Sequence, residues 1–169
     1  MKVDLSAITN EYLRKFFIYQ PANGLIRWKV SRSRQSKRLD IAGKINAAGY
    51  REVMVEGRSI LVHRLAFFWV NGFWPEQVDH KNLCRSDNSI SNLRAASQAQ
   101  NQQNQKLRCT NTSGIKGVCW DKRKGLWYSR VGVNGKVISL GYYEDKFSAA
   151  CAVFSARNQH HGIYCNHGN

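Results

Sequence analysis

The chain has 169 residues, 43% of them hydrophobic and 11% aromatic, with two prolines; it can bury a core as one domain or two small ones, and a wholly disordered chain is excluded. Lys and Arg number 26 against 11 Asp and Glu, a formal charge of +15, and such self-repulsion calls for a polyanionic partner. Nucleic acid fits best, because the basic residues fall in turns and strand-like stretches and not along the amphipathic helix that a membrane surface requires.

The first segment reads as a short helix, a turn at Pro21 to Gly24, and a strand through Leu25, Ile26, Trp28 and Val30. The run SRSRQSKR follows and brings Arg32, Arg34, Lys37 and Arg38 together in seven residues, a solvated loop able to touch phosphates. Downstream, Tyr50, Val53 and Val55 form one arm of a hairpin and Ile60 to Val62 the other, with EGR at the turn. A short apolar helix is predicted from His63 to Val70, stopped by Asn71-Gly72. His63 at its start reads as a packed or capping residue.

In VDHKNLCRSDNSISNLR, Val78 to His80 is a strand end, Ser86 to Ser91 is loop chemistry, and Leu93 to Ala96 is a returning strand. Ser97 and Gln100 then form an S-x-x-Q capping box that starts a polar helix. A regular strand points Asp79 and His80 to opposite sides, so both serve one site only where the strand ends or twists. Asp79 and Asn101 are oxygen donors suited to a hard divalent cation such as Mg²⁺ or Mn²⁺, and a neutral imidazole at His80 can deprotonate water. Those are the two services that phosphodiester hydrolysis needs.

From Thr110 the texture changes. Strands are predicted at Ile115 to Trp120, Leu126 to Val133 and Lys136 to Tyr142, with Asn134-Gly135 as a hairpin turn. A helix from Lys146 to Gln159 closes the unit, with Phe147, Ala150, Cys151 and Phe154 at i, i+3, i+4 and i+7 and both phenylalanines turned to the core. The exposed sheet face should draw on Lys116, Trp120, Lys122, Arg123, Trp127, Arg130 and Lys136; alternation allows Trp127 and Arg130 to lie on opposite faces, and the sequence does not say which is buried. His160, His161, Cys165 and His167 read as a helix end and a loose tail.

The five cysteines, Cys84, Cys109, Cys119, Cys151 and Cys165, are odd in number and form no C-x-x-C pair, and the chain has no signal-peptide pattern or long apolar run. Reduced thiols in a cytoplasm, with no structural zinc, are the expectation.

The stretch VDHKNLCRSDNSISNLRAASQAQNQQNQ, with VHRLAFFWVNGFWP upstream, resembles the HNH endonucleases, specifically the homing endonucleases of phage type. The resemblance spans roughly 25 to 105. It implies a ββα-metal motif at about 76–106, with His80 as general base, Asp79 and Asn101 holding one divalent cation, and Asn92 bracing the loop that carries His80. Asn101 stands where other members carry His, which favours an oxygen-loving ion. The segment from Ser113 to Arg157 resembles the plant APETALA and ethylene-response-factor DNA-binding domain, whose three-stranded sheet enters the major groove; it has fewer arginines in its first strand than the plant members.

The sequence thus predicts an α+β protein: a β-rich start leading into the ββα-metal motif, then a small three-stranded antiparallel sheet on one helix. The expected division is a nuclease domain at 1–108 and a DNA-binding domain at 109–169. The expected activity is site-directed, metal-dependent cleavage of double-stranded DNA by a monomer with no obligate protein partner and no membrane, in the cytoplasm of a bacterium or phage-infected host. Arg94 joins the expected DNA contacts. The rival reading is a non-catalytic, sequence-specific DNA-binding regulator; RNA binding has less support, since no single-strand module is present.

Overall fold

Thr9 begins the first helix by accepting a hydrogen bond from the Tyr12 amide at 3.1 Å, the contact a helix start uses to satisfy an orphan donor. This computed structural model describes residues 8–31, 33–34 and 37–168; Arg32, one of the expected phosphate contacts, lies outside them. The protein is α+β. It divides into two compact units, Met1–Ala96 and Ser97–Asn169. The sequence-based boundary at 108/109 differs from this division in where it puts the segment 97–108.

In the first unit, α1 (Asn10–Phe16) runs directly into β1 (Phe17–Gln20), which pairs antiparallel with β2 (Leu25–Trp28). The strand ends at Trp28, short of the expected Val30, which is 40% exposed and has no core to face. A three-stranded sheet follows, from β3 (Lys44–Ile45), β4 (Arg51–Val55) and β5 (Arg58–Leu61), and leads into α2 (Val62–Asn71). Gly72, in the left-handed conformation, ends α2. The inner face of α2 buries Leu65, Ala66, Phe67 and Phe68 in a core shared with Leu13, Ile26 and Val55. Burial of side chains of this kind stabilises by roughly 1.5–3 kcal/mol each. This core holds up the two-stranded sheet of β6 (Gln77–His80) and β7 (Leu93–Ala96).

In the second unit the Ser97–Gln100 capping box is formed in both directions, at 3.2 and 2.8 Å, and starts α3 (Gln98–Gln103). No α3 residue is buried, so the cap and not an apolar face defines where this helix begins. Then come β8 (Val118–Asp121), β9 (Leu126–Val133) and β10 (Lys136–Tyr143), an antiparallel sheet in the order β10-β9-β8. The β9–β10 turn has positive φ at both Asn134 and Gly135, 51° and 76°, the geometry that matches strand twist. Ile115 to Gly117 turn instead of extending, with the Val118 amide bonded to the Ile115 carbonyl at 3.2 Å, so the first strand starts later than predicted.

The last helix, α4 (Lys146–His161), covers one sheet face, but not with the predicted phenylalanines. Phe147 is 77% exposed and Phe154 37%, whereas Ala149, Ala150, Val153 and Ala156 are buried. The reason is proximity: Ser129 Oγ on β9 donates to the Ala149 carbonyl of the helix at 2.9 Å. A helix backbone that close to a strand leaves room for alanine and valine only, and a phenyl ring there would overpack the interface.

Candidate active site

The strand β6 ends at His80, with Asp79 one residue before it. Asp79 pairs in register with Arg94 of β7, and His80 with Leu93. Both Asp79 and His80 are buried, at 4% and 5% exposure. Arg94 reaches across the pair with both Nε and Nη2 onto Asp79 Oδ2, at 2.8 and 2.7 Å. Arg94, one of the expected DNA contacts, is engaged here by a buried carboxylate, which would be left uncompensated if the guanidinium turned away.

His80 Nε2 lies 3.2 Å from Asn88 Oδ1. The Asn88 amide nitrogen faces the Ser86 carbonyl at 3.4 Å, which turns Oδ1 to the ring. An amide oxygen only accepts, so Nε2 carries the proton and Nδ1 the lone pair. Burial lowers the pKa of His80, opposed by the Asn88 hydrogen bond and then by the charges of Asp79 and Asp87. The net shift favours the neutral ring, the form a general base needs.

The loop from Lys81 to Asn92 is tied at its base by Asn92. Its side-chain oxygen accepts from the Asn82 amide at 3.0 Å, its side-chain nitrogen donates to the Asp87 carbonyl at 2.8 Å, and its own carbonyl accepts from the Lys81 amide at 2.9 Å. Asp87 adds a second tie, accepting from Ser89 Oγ at 2.7 Å and from Asn82 at 2.8 Å; the Ser89 bond is the main reason its carboxyl sits below the usual range.

The first hairpin clamps this loop from behind. Tyr19 donates its hydroxyl to the Asn88 carbonyl at 2.9 Å, and the Ile90 amide bonds the Pro21 carbonyl at 3.0 Å. Burial, and secondarily Asp87, pushes Tyr19 up to about 12, so it stays a donor. Gly24 has φ 71°, and a Cβ there would stand 2.2 Å from the Asn88 carbonyl carbon. Only glycine lets the hairpin approach the loop so closely.

His63 is packed, and its neighbour is His80: the ring centroids are 4.9 Å apart at 73°. It does not cap α2, whose N-cap is Leu61. Tyr50 lies against both imidazoles, at 5.2 and 5.9 Å. Burial, then the His80 and Arg64 charges, bring His63 down to about 3.

Asn101 stands on α3, in the other unit, its amide bonded to the Ser97 carbonyl at 3.0 Å. A carboxylate such as that of Asp79 is a hard oxygen donor of the kind that suits Mg²⁺ or Mn²⁺, ions that keep much of their water and share substrate phosphates. Among the described residues no group of three or more His, Cys, Asp or Glu is arranged to hold a metal, and all five cysteines are free thiols.

Residues 61–103 match the family model described as HNH endonuclease. This segment is similar to the HNH endonucleases. The match contains Asp79, His80, Asn88, Asn92 and Asn101, and it supports a nuclease function. Over 93 residues, 55% of this chain and 74% of the relative, the chain is 29% identical to "Protein 3.8" of Escherichia phage T7. No solved structure matches the chain. No helix among the described residues is long and apolar enough to cross a membrane.

The HNH-like segment was legible in Asp79, His80 and Asn92. Asn88 and the contact of His63 with His80 were not, since both depend on how the loop and α2 close in space.

In the second unit, Trp120 and Trp127 pair in register and meet edge to face at 5.1 Å. Trp127 alternates with Ser129 and Val131 and packs on the Val118–Ala149–Val153 cluster, so of the two candidates left open, Trp127 and Arg130, it is Trp127 that lies on the helix side, with Trp120 beside it and 44% exposed. The opposite face carries Arg130 with Tyr128 and Tyr142, whose rings are 4.9 Å apart, and Lys124 over Tyr142 at 3.7 Å. Lys116 precedes β8, and its ammonium bonds the Gln103 and Gln105 carbonyls, both at 2.8 Å; it pins the preceding segment to the sheet. Lys122 and Arg123 lie in the exposed Asp121–Gly125 turn, and Lys136 is exposed at the start of β10. Arg34, Lys37 and Arg38 are exposed in the first unit.

Proposed function

We propose that the protein is a metal-dependent endonuclease of the HNH homing type that hydrolyses phosphodiester bonds of double-stranded DNA. The observation that carries this reading is His80: a buried, neutral-leaning imidazole at a strand end, its Nε2 anchored by Asn88, inside the segment similar to the HNH endonucleases.

In this mechanism the lone pair on His80 Nδ1 takes a proton from water as the water oxygen attacks phosphorus. The bond from phosphorus to the leaving oxygen breaks, and that oxygen acquires a proton from solvent. Asn88 fixes the tautomer, and Asn92 holds the loop so that the ring keeps its aim; a misplacement of an ångström costs on the order of a hundredfold in such a step. A divalent cation, for which the resemblance to the HNH endonucleases implies Asp79 and Asn101 as ligands, would supply positive charge to the phosphate and to the leaving oxygen. Asp79 can take that role only by sharing its carboxylate with Arg94 or releasing it.

The second unit is proposed to supply the address, as an APETALA-like reader that lays its outward face in the major groove. Arg130, with Tyr128, Tyr142 and Lys124, lies on that face. Lys122, Arg123 and Lys136 add phosphate contacts, as do Arg34, Lys37 and Arg38 of the first unit.

The Asp79–Arg94 ion pair is the one observation favouring the rival, a DNA-binding regulator with a silent nuclease scaffold. Incubation with supercoiled plasmid decides between them. Nicking or linearisation with Mg²⁺ or Mn²⁺ that stops in EDTA supports the nuclease; retarded but uncut plasmid under every ion supports the regulator.

A further inference from the structure

From Ser97 onward the sequence holds ten Lys and Arg against three Asp and Glu, and the structure concentrates part of that charge in one place. A cleft of about 760 Å³ in the second unit is lined by Lys106, Arg108, Lys116, Arg130, Lys136 and Arg157, with His161 at its edge. No acidic side chain lines it. Cationic groups crowd together in this way at a cost that only an anion relieves.

Two lining groups are buried with bonding capacity left over. Arg157 is 4% exposed; its Nη1 donates to the Asn166 carbonyl at 3.1 Å, but its Nε–H is buried and meets no acceptor among the described residues. His161 is 8% exposed; its Nε2 donates to the Gly132 carbonyl at 2.8 Å, and its Nδ1 is likewise buried without a partner. A buried guanidinium donor without an acceptor is destabilising, so its persistence at the wall of a cleft points to a ligand oxygen that would complete it. Lys116 feels the same field: burial first, then Arg157, bring it down to about 8.

We infer that this cleft binds a backbone phosphate of duplex DNA. Arg130 belongs both to the outward face of the sheet and to the cleft, so a duplex lying on that face has its backbone continued into the cleft. The phosphate oxygen accepts from Arg157 Nε–H and draws a proton onto His161 Nδ1, turning both orphan atoms into donors. The site contributes affinity and register, not base choice.

This inference rests on the DNA-binding part of the proposed function, and its test separates the two. The full chain, labelled with ¹⁵N and held in EDTA to prevent cleavage, is titrated with a short DNA duplex and, separately, with inorganic phosphate. The expected result is that both move the Arg157 Nε–H and His161 ring signals, and that the duplex also moves Tyr128 and Tyr142. In parallel, Lys136→Ala and Lys106→Ala, exposed at the cleft, each lower the slope of log K against log salt by about 0.9. A duplex that moves Tyr128 and Tyr142 but leaves Arg157 and His161 unmoved overturns the cleft and spares the DNA-binding reading. Phosphate alone moving them marks a small-anion site and also overturns it. A duplex that moves none of the four signals overturns both.

Discussion

The imidazole of His63 stands edge-on against that of His80, 4.9 Å between centroids. With its pKa brought down to about 3, His63 is neutral around neutral pH, and it presents an uncharged wall to the proposed base. The same burial makes the first unit acid-sensitive. The folded pKa lies below the unfolded value of about 6.5, so between the two the unfolded chain binds more protons, and stability held in full above about 6.5 is lost as pH falls. From pH 7 to pH 5 the loss from this one group is roughly 2 kcal/mol. Urea midpoints at the two pH values measure it, and His63→Phe should lose less than the wild type; equal losses would contradict the assignment.

Gly24 contacts no reacting group, yet its lack of a side chain sets how closely the first hairpin presses on Asn88. Gly24→Ala forces a Cβ into the Asn88 backbone at an unfavourable φ, a destabilisation of about 1–3 kcal/mol. Plasmid cleavage should fall at least tenfold while DNA retention in a gel is unchanged. A variant that cuts normally would show that the hairpin does not aim His80.

Removing the Asn88 side chain should uncouple the tautomer of His80 from its surroundings. Asn88→Ala is expected to lower single-turnover cleavage by ten- to a hundredfold and to leave DNA affinity intact. The signature of lost positioning is a fall in kcat without a rise in KM.

Much of this arrangement can be read from the residues alone. The β6–β7 pair, the capping box and the Asn134-Gly135 hairpin are local, and each carries its own turn or cap chemistry. The partner of Asp79 was hidden because strand register is set by the length of the loop between, which no local pattern encodes. Two apolar stripes run along α4; the bulkier one, through Phe147 and Phe154, was the natural choice, but the distance from helix to sheet selects the alanines. The choice between Trp127 and Arg130 stayed open for a similar reason: alternation fixes which residues share a face, not which face is covered.

Arg94 and Asp79 provide a test of the metal. Arg94→Ala leaves a buried carboxylate uncompensated, at a cost of about 3–5 kcal/mol. Mn²⁺ or Mg²⁺ should restore part of it by binding the folded state alone, raising Tm more in the variant than in the wild type. Indifference of both proteins to the ions would remove Asp79 from the proposed ligand set.

On the sheet, the two faces separate cleanly. Arg130→Ala should weaken DNA binding and lower the salt slope by about 0.9 with Tm unchanged, whereas Trp127→Ala should cost the second unit up to about 3–5 kcal/mol. The reverse pattern, Trp127 essential for DNA and Arg130 for stability, would invert the proposed reading face.

The proposed cleavage turns on the proton that His80 takes from water. Single-turnover cleavage of supercoiled plasmid in Mg²⁺, by wild type and His80→Ala at concentrations where both are fully bound, measures that step directly. The account predicts equal binding and a drop in cleavage on the order of a hundredfold or more for the variant; equal rates from the two proteins would contradict it.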